Sequence, residues 1–310
     1  MKSRVLVTGA AGFVGSNVCK ALARQGRAVT GLDDFSAGNF KNLADFSGDF
    51  VSADVFDAAA WGPRVGQVDA IFHQAAITDT TVMDQAKMMR VNAGAFFNLL
   101  EWAAKNKVKT VVYASSAGVY GDTPVPMRET AAHKPLNIYA FSKATMENIA
   151  ADFPRRHPKS RMNIVGLRYF NVFGPGESFK GKAASMIWQL YLQMKAGKRP
   201  RVFEFGDQYR DFIYVKDVVA ANVLAEKAKS GAYNVCTGRK TTFNEIIAAL
   251  NAVLDANLEP DYFKNPYSFY QNETLGDPAL AAKALGFKAK FTAEAAIRDY
   301  LQSPAVPAGV

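Results

Sequence analysis

The chain has 310 residues, of which 49% are apolar and 21% are charged, a composition typical of a globular protein with a large core. Its net charge is +9 (37 basic minus 28 acidic residues), but the basic residues are scattered without stacking aromatics, which favours an anionic small molecule over nucleic acid as a partner. No apolar run reaches the ~20 residues of a membrane span, and the amino terminus leads directly into a strand without a secretory leader.

The two cysteines limit the redox chemistry that the chain can support. Cys19 falls in a predicted helix and Cys236 follows a predicted strand, so they form neither a disulfide framework nor a metal cluster. We therefore expect a cytoplasmic protein with no metal site.

The amino-terminal stretch has the pattern of a dinucleotide-binding site. Residues 4–7 form a short apolar strand, residues 16–24 have helical spacing, and residues 28–32 form a second strand. Gly9, Gly12 and Gly15 would turn the chain, admit a diphosphate and let the helix pack on the strand. The helix N-terminus offers N–H groups to phosphates, and Asp33 follows where a carboxylate can bind the ribose hydroxyls. The combination argues against the alternative, an ordinary strand–helix turn.

Two further strands are predicted over residues 50–53 and 68–73. Asp54 follows the first of them, and the sequence leaves open whether it reaches an adenine edge or is a simple loop carboxylate. Residues 74–78 follow the second, and the small residues among them let the chain pass close to a ligand at the rim of a parallel sheet. His73 is expected to be structural. A long helix is predicted over residues 82–106, in which the polar Asn92 would brace the next loop.

The candidate catalytic residues follow a fifth strand, predicted over residues 109–114. That strand leads to Ser115 and Ser116, and Tyr139 and Lys143 lie further on in a helical stretch. The i, i+4 spacing places Tyr139 and Lys143 on one helical face, where the ammonium would lower the pKa of the phenol. A phenol activated in this way can take a proton from a carbinol while a nicotinamide takes the hydride, with either serine bonded to the same oxygen.

The second half of the chain carries candidates for substrate binding. Asn171 follows a sixth strand at residues 163–168, and its amide can donate and accept hydrogen bonds. Lys180 and Lys182 precede a helix predicted over residues 183–195, where cations oppose the helix dipole and so suggest an anion or a proton transfer. Arg210 suits bidentate binding of a pyrophosphate. An aromatic cluster at residues 261–277 either covers a ligand or anchors a small domain.

Four motifs resemble those of the extended short-chain dehydrogenase/reductases, which include nucleotide-sugar epimerases, dehydratases and reductases. They are Thr8-Gly-Ala-Ala-Gly-Phe-Val-Gly, Tyr113-Ala-Ser-Ser-Ala, Tyr139-x-x-x-Lys143 and Arg168-Tyr-Phe-Asn-Val-Phe-Gly-Pro. The resemblance covers nearly the whole chain. It narrows to the ADP-L-glycero-D-manno-heptose 6-epimerases through His73-Gln-Ala-Ala-Ile-Thr-Asp-Thr-Thr, Phe179-Lys-Gly, Ala184-Ser-Met, Phe203-Glu-Phe-Gly-Asp-Gln-Tyr-Arg-Asp-Phe and Lys264-Asn-Pro-Tyr-Ser-Phe-Tyr-Gln.

The resemblance implies a reaction and roles for the catalytic residues. The C6 centre of ADP-D-glycero-D-manno-heptose would be inverted through a 6-keto intermediate, in the synthesis of a lipopolysaccharide core precursor. Tyr139 and Lys180 would act as acid/bases on opposite faces of the sugar, Lys143 would hold the nicotinamide ribose and tune Tyr139, and Ser116 would lie near the reacting oxygen.

The resemblance also implies two sets of binding residues, as well as a tightly bound NAD(P) and assembly as a possible homo-oligomer. Around the cofactor, besides the residues named above, these are Phe13, Val14, Asp34, Val55, Gln74, Ala75, Ala76, Thr78, Asn92 and Val172. Around the ADP-heptose they are Ser115, Ser116, Asn171, Lys180, Lys182, Gln189, Phe203, Glu204, Phe205, Gly206, Arg210 and Tyr270.

Two positions depart from the family pattern. Asp34 stands beside Asp33 where the family often has an asparagine and a nearby lysine, and two carboxylates would repel a 2′-phosphate, so NAD is slightly favoured over NADP. Lys182 replaces a small serine that is common there, which affects the expected sugar contacts.

The sequence therefore predicts an α/β fold, a Rossmann-type doubly wound parallel sheet with a smaller α/β C-terminal substrate domain. The first domain would comprise residues 1–167 with about 212–235, the second residues 168–211 and 236–302, and residues 303–310 a flexible tail. The alternatives are an enzyme acting at C4 of another UDP- or GDP-sugar, or a dehydratase, and a non-catalytic NAD(P)-binding sensor. Intact Ser116, Tyr139 and Lys143 argue against the sensor.

Overall fold

The computed structural model describes residues 3–80, 84–265 and 273–302. The strands are β1 (Arg4–Thr8), β2 (Ala28–Asp33), β3 (Asp49–Ser52), β4 (Ala70–His73), β5 (Thr110–Ser116), β6 (Asn163–Tyr169), β7 (Asn171–Phe173), β8 (Arg201–Phe203), β9 (Tyr209–Arg210), β10 (Phe212–Tyr214), β11 (Gly231–Val235), β12 (Thr241–Thr242) and β13 (Asp261–Phe263). The helices are α1 (Phe13–Arg24), α2 (Ala58–Val65), α3 (Gln85–Met89), α4 (Ala95–Lys105), α5 (Ile138–Arg156), α6 (Met186–Lys195), α7 (Val215–Ala225), α8 (Phe243–Leu254), α9 (Ala279–Leu285) and α10 (Ala293–Leu301).

Seven parallel strands form the central sheet in the order β11-β6-β5-β4-β1-β2-β3. The order reverses at β1, which pairs with β2 on one side and with β4 on the other. This arrangement confirms the predicted doubly wound sheet and puts a ligand crevice at the carboxyl ends of β1 and β4. β11 pairs with β6, so the chain returns to the large sheet after β7 to β10.

The side chains of the strands alternate between two buried layers. Val5 and Val7 pack with α1 and α7 on one face of the sheet, whereas Leu6 packs with α2, α4 and α5 on the other. A third core forms between α6, α8 and α10 and includes Phe13 from the first turn of α1. This third core is therefore joined by packing to the start of α1, directly after the glycine turn. Within the described residues, no helix is both long enough and apolar enough to cross a bilayer.

Two predicted helices differ from the observed ones. The helix expected over residues 82–106 is divided into α3 and α4 by a π-helical turn, Arg90–Gly94, and residues 82 and 83 lie outside the described residues. The helix expected from residue 183 begins at Met186, because the hydroxyl of Ser185 accepts a hydrogen bond from the Trp188 N–H and caps it. A 3₁₀ helix, Ser178–Ala183, precedes it.

A buried ion pair fixes α5 on the sheet. Both carboxylate oxygens of Glu147 accept from the Arg168 guanidinium, at 2.9 Å and 2.6 Å. The side chain of Glu147 is 7% exposed and that of Arg168 is 4% exposed. Ser115 donates to the same carboxylate at 2.5 Å, and the ring of His133 lies 2.8 Å from it. Burial opposes ionisation of Glu147, but its bonds to His133, Arg168 and Ser115 outweigh burial and lower its pKa to about 2.

Replacing Glu147→Gln should destabilise the protein by about 3 kcal/mol at pH 7, because it leaves the buried Arg168 without its counter-ion. Since the folded pKa of Glu147 lies below its usual 4.5, its contribution is complete above pH 4.5 and is lost as the pH falls towards 2. The variant should therefore show a flatter decline in the free energy of unfolding between pH 4.5 and 3, measured by urea denaturation.

The matched control is Asp152→Asn on the same helix, where the carboxylate pairs with an exposed Arg155. It should leave the urea midpoint unchanged. Equal effects of the two substitutions would show that the buried pair does not stabilise the fold.

Candidate active site

The glycine turn between β1 and α1 is packed against the end of β4. Gly9 has φ +66°, and a side chain there would approach within 2.6 Å of the Ala75 N atom. A side chain at Gly15 would overlap the Gly9 carbonyl oxygen, whereas at Gly12 the nearest atom would be 3.1 Å away. Gly9 and Gly15 thus permit close packing, and Gly12 keeps the start of α1 open to an approaching group.

The N-terminus of α1 is suited to an anion. Gly12 caps the helix without a side-chain bond, and the first turn contains no acidic residue. The N–H groups of that turn and the helix dipole therefore have no side-chain acceptor competing for them. Phe13 is buried in the third core and Val14 is half-buried beside it, which anchors this end of the helix. These features fit the diphosphate of a dinucleotide.

Asp33 closes the turn from the end of β2. One carboxylate oxygen accepts from the Ala11 N–H at 2.9 Å and the other from the Phe35 N–H at 2.8 Å. Burial raises the pKa of Asp33, and these two bonds oppose it. Asp34 is exposed and accepts from the backbone and hydroxyl of Ser36. Two carboxylates therefore flank the position predicted for the ribose.

The loop after β3 holds Asp54 and Val55. Asp54 accepts from the Phe56 N–H at 2.9 Å and pairs with Arg90 at 3.1 Å, while Val55 is buried in the core. These contacts hold the Asp54 carboxylate in its loop, and its contact with an adenine edge stays a prediction.

Asn92 holds the loop after β4. Its amide oxygen accepts from the Ile77 N–H at 2.8 Å, and its nitrogen donates to the Ile77 carbonyl at 3.1 Å and to Ser142 at 2.8 Å. The loop that Asn92 holds precedes it in the chain, whereas the sequence predicts that Asn92 braces the loop that follows its helix. Ala75 and Ala76 are half-buried in it, and Thr78 is exposed.

The structure brings Ser116, Tyr139 and Lys143 together. Ser116 ends β5, and α5 begins one residue before Tyr139, capped by Asn137, which accepts from the Ala140 N–H at 2.8 Å. The Lys143 ammonium donates to the Ala114 carbonyl at 2.8 Å and lies 5.9 Å from the centroid of the Tyr139 ring. Ser115 is not brought to this group, because its hydroxyl donates to Glu147 further along α5.

The pKa of Tyr139 differs from the expectation. Burial raises the pKa of the phenol, and a hydrogen bond with Ser116 only partly opposes this. The predicted lowering by Lys143 is therefore wrong for the protein without cofactor. Lys143 is itself buried, which lowers its pKa to about 7. Its amine is consequently only partly charged near neutral pH.

Lys180 lies beside the first turn of α1. Its ammonium is 5.7 Å from the centroid of the Phe13 ring, and burial lowers its pKa while the nearby Glu177 opposes this. Lys182 is exposed. The amide of Gln189 donates to the Lys182 and Ala184 carbonyls and so holds this segment in place.

A buried aspartate, Asp211, lies next to the predicted substrate residues on β7 and β9. Asp211 is fully buried and accepts from the Thr237 N–H and hydroxyl, at 2.8 Å and 2.7 Å, and from the Gly238 N–H at 3.0 Å. It adjoins Arg210, and its carbonyl oxygen accepts from the Asn171 amide at 3.2 Å. Val172 is half-buried at the centre of β7, paired with β10.

The segment after β8 carries the remaining candidates. Phe203 ends β8 and packs edge-on against Phe263, with the ring centroids 5.0 Å apart. Glu204 and Gly206 flank Phe205, which is 67% exposed. The Asn244 side chain donates to the Phe205 carbonyl at 2.9 Å. Tyr270 lies outside the described residues.

Sequence reasoning missed Glu147, Arg168 and Asp211. Each has a signal in the sequence: Glu147 falls four residues after Lys143, Arg168 is a charge within an apolar strand, and Asp211 adjoins Arg210. Those signals show that a charge needs a partner, but they do not identify it.

Comparison with known proteins places these residues in a family. Residues 5–236 match the NAD dependent epimerase/dehydratase family. ADP-L-glycero-D-manno-heptose-6-epimerase from Helicobacter pylori is 41% identical, with a TM-score of 0.89 over 97% of this chain and 95% of that chain. UDP-glucose 4-epimerase from Thermotoga maritima, solved with UDP-glucose, is 28% identical, with a TM-score of 0.88 over 96% of this chain and 97% of that chain.

A third similar structure is UDP-N-acetylglucosamine 4-epimerase from Methanobrevibacter ruminantium. It is 29% identical, with a TM-score of 0.89 over 97% of this chain and 98% of that chain. The family match covers most of the chain and includes the glycine turn, Ser116, Tyr139 and Lys143. The chain therefore belongs to the NAD dependent epimerase/dehydratase family.

Proposed function

We propose that the protein inverts C6 of ADP-D-glycero-D-manno-heptose. The observation that carries this proposal is Lys180, a second partly buried amine with a lowered pKa, beside the first turn of α1. The greater identity to the heptose epimerase, 41% against 28–29% for the two 4-epimerases, supports the same substrate. The two 4-epimerases are similar to this chain in fold, so epimerisation at C4 of a UDP-sugar is the second candidate function.

The chemistry of C6 accounts for two proton-transfer groups. A carbinol carbon has no acidic proton, so inversion can proceed by oxidation to a ketone, turning of the ketone and reduction on the other face. NAD, when bound, supplies the acceptor and donor of the hydride. Tyr139 would exchange the hydroxyl proton on one face and Lys180 on the other, each as a general acid or base.

Lys143 would favour the ionised form of Tyr139. Burial keeps the phenol protonated in the absence of a nearby full charge. An ammonium at Lys143, 5.9 Å from the centroid of the Tyr139 ring, favours the phenolate by opposite charge. Ser116, which bonds the phenol, would bind the reacting oxygen of the sugar.

The glycine turn and Asp33 would hold the cofactor, and we propose NAD rather than NADP. Asp33 and Asp34 adjoin each other, and the first lysine that follows is Lys41. A 2′-phosphate would meet two carboxylates there.

We place the enzyme in the cytoplasm, since Cys19 and Cys236 are both free and buried, as expected where disulfides are rare.

Replacing Lys143→Met should reveal the cost of burying the amine. Between pH 7 and 10.5 the unfolded chain keeps the proton that the folded chain releases, so the free energy of unfolding of the original protein rises with pH over this range. The variant lacks this rise, so its stability relative to the original protein should fall by about 2 kcal/mol from pH 7 to pH 9. Urea denaturation at both pH values measures it.

The control for this substitution is Lys195→Met, an exposed lysine at the end of α6. Its free energy of unfolding should change between the two pH values by the same amount as that of the original protein. A Lys143→Met variant with an unchanged pH dependence would mean that the buried amine stays protonated throughout.

Protein stripped of cofactor should bind NADP roughly fivefold to tenfold more weakly than NAD, through repulsion between the phosphate and the two carboxylates. Asp34→Asn keeps the bond to Ser36 but removes one charge, so it should narrow this difference. The control, Asp49→Asn, removes one negative charge at the amino end of β3, away from the site, and should leave the difference between NAD and NADP affinity unchanged. Calorimetric titration of the three proteins measures the dissociation constants, and tighter binding of NADP would refute the proposal.

Lys180→Met should lower kcat for C6 inversion by about a hundredfold or more, since a general acid or base is worth that much. The assay incubates the holoenzyme with ADP-D-glycero-D-manno-heptose and follows C6 by NMR. The control is Lys195→Met, whose ammonium likewise lies 5.7 Å from a ring centroid, that of Tyr191. Unchanged turnover in Lys180→Met would remove Lys180 from the chemistry, and inversion of UDP-glucose at C4 in place of the heptose would favour the second candidate.

A further inference from the structure

Three side chains close a ring of hydrogen bonds at the carboxyl edge of the sheet. The Tyr169 hydroxyl donates to the Gln74 amide oxygen at 3.0 Å, the Gln74 amide nitrogen donates to the Asn222 oxygen at 3.0 Å, and the Asn222 nitrogen donates to the Tyr169 hydroxyl at 2.8 Å. Each member therefore donates once and accepts once within the ring. Such closed arrangements polarise their members and are costly to break.

The ring joins three separate parts of the chain. Gln74 directly follows β4, Tyr169 ends β6, and Asn222 lies on α7. Because β5 separates β4 from β6, the ring bridges over the end of β5. Asn222 is fully buried, and its nitrogen also donates to the Val218 carbonyl at 2.8 Å, which fixes the orientation of its amide.

One side of the ring contacts the glycine turn. The Gln74 N–H donates to the Thr8 carbonyl at 3.1 Å. A side chain added at Gly9 would come within 2.8 Å of the Gln74 carbonyl carbon, so the backbone of Gln74 and the turn are in direct contact. A displacement of Gln74 would therefore be transmitted to the turn.

The other side of the ring faces the candidate catalytic residues. Tyr169 pairs with Ser116 in the register of β5 and β6. Burial raises the pKa of the Tyr169 phenol, and the neighbouring Tyr139 phenol adds to this, which places the two phenols within electrostatic reach of each other. The ring thus lies between the turn that would hold the diphosphate and the phenol that would exchange the proton.

We propose that Asn222 and Tyr169 are positioning residues that hold Gln74, and with it the loop after β4, in the arrangement that dinucleotide binding requires. This inference rests on the NAD-dependent function proposed above. Asn222 acts through Tyr169 and Gln74 and does not itself touch the cofactor. Binding benefits because a loop that is already ordered loses less freedom when the ligand arrives.

A purely structural ring makes a different prediction. It would stabilise the fold, and its loss would lower the thermal midpoint without changing the affinity of the folded protein for NAD. Cofactor affinity therefore separates the two roles.

The first test is Tyr169→Phe, which removes a single oxygen atom. In protein stripped of cofactor, calorimetric titration should show an increase of about tenfold in the dissociation constant for NAD, the effect expected for one broken buried hydrogen bond. The matched control is Tyr233→Phe on β11, a buried tyrosine whose hydroxyl donates to the Lys229 carbonyl at 3.0 Å. It should leave the affinity for NAD unchanged even where it lowers the thermal midpoint.

The second test asks whether the ring acts as one unit. Asn222→Ala should weaken NAD binding to a similar extent, and the double variant with Tyr169→Phe should be no weaker than the weaker single variant, since each change already opens the ring. Additive effects would overturn the proposal, as would equal dissociation constants for Tyr169→Phe and the original protein.

The outcome can be separated from that of the proposed function. If the variants weaken NAD binding as expected but the original protein does not invert ADP-heptose, the positioning role of the ring is supported and the proposed substrate is refuted. Stripped original protein that binds no NAD would overturn the inference and the cofactor proposal together.

Discussion

The site depends on an amine that is buried without a counter-ion. Among the described residues no carboxylate pairs with Lys143, and its ammonium donates only to the Ala114 carbonyl. Glu147 lies one helical turn further along α5, but Arg168, Ser115 and His133 occupy its carboxylate. The carboxylate of Glu147 thus neutralises Arg168, and Lys143 has only a neutral partner. As a result the pKa of Lys143 falls to about 7, where the charge on it can change during a reaction at neutral pH.

The ion pair between Arg168 and Glu147 also joins the elements that carry the proposed catalytic residues. Arg168 lies on β6 and Ser115 on β5, so Glu147 attaches α5 to two neighbouring strands at once. Ser115 bonds to Glu147 and Ser116 interacts with the Tyr139 phenol, so two consecutive serines at the end of β5 both contact α5. The helix position set by Glu147 is therefore also the one in which Tyr139 meets Ser116.

The sequence was sufficient for features that depend on local spacing. The glycine turn, the i, i+4 spacing of Tyr139 and Lys143, and the parallel sheet all follow from patterns within short segments. Contacts between distant segments could not be predicted, because a charge such as Arg168 or Asp211 shows only that some partner exists. The pKa of Tyr139 was predicted in the wrong direction for a related reason. Proximity to Lys143 follows from helical spacing, but the burial that raises the phenol pKa and discharges the lysine follows from tertiary packing.

The hydrogen bonds of two neighbouring phenols distinguish Tyr139, proposed above to transfer a proton, from Tyr169. The Tyr169 hydroxyl donates to Gln74 and accepts from Asn222, so its proton has a fixed acceptor and its loss would break a closed ring. Within the described residues, the Tyr139 phenol interacts with Ser116, and Lys143 lies near its ring. Loss of its proton would leave the hydrogen-bonded ring intact. The two tyrosines thus differ in their contacts: the hydroxyl of Tyr169 is part of the ring, whereas that of Tyr139 has the partner expected for the proposed proton transfer.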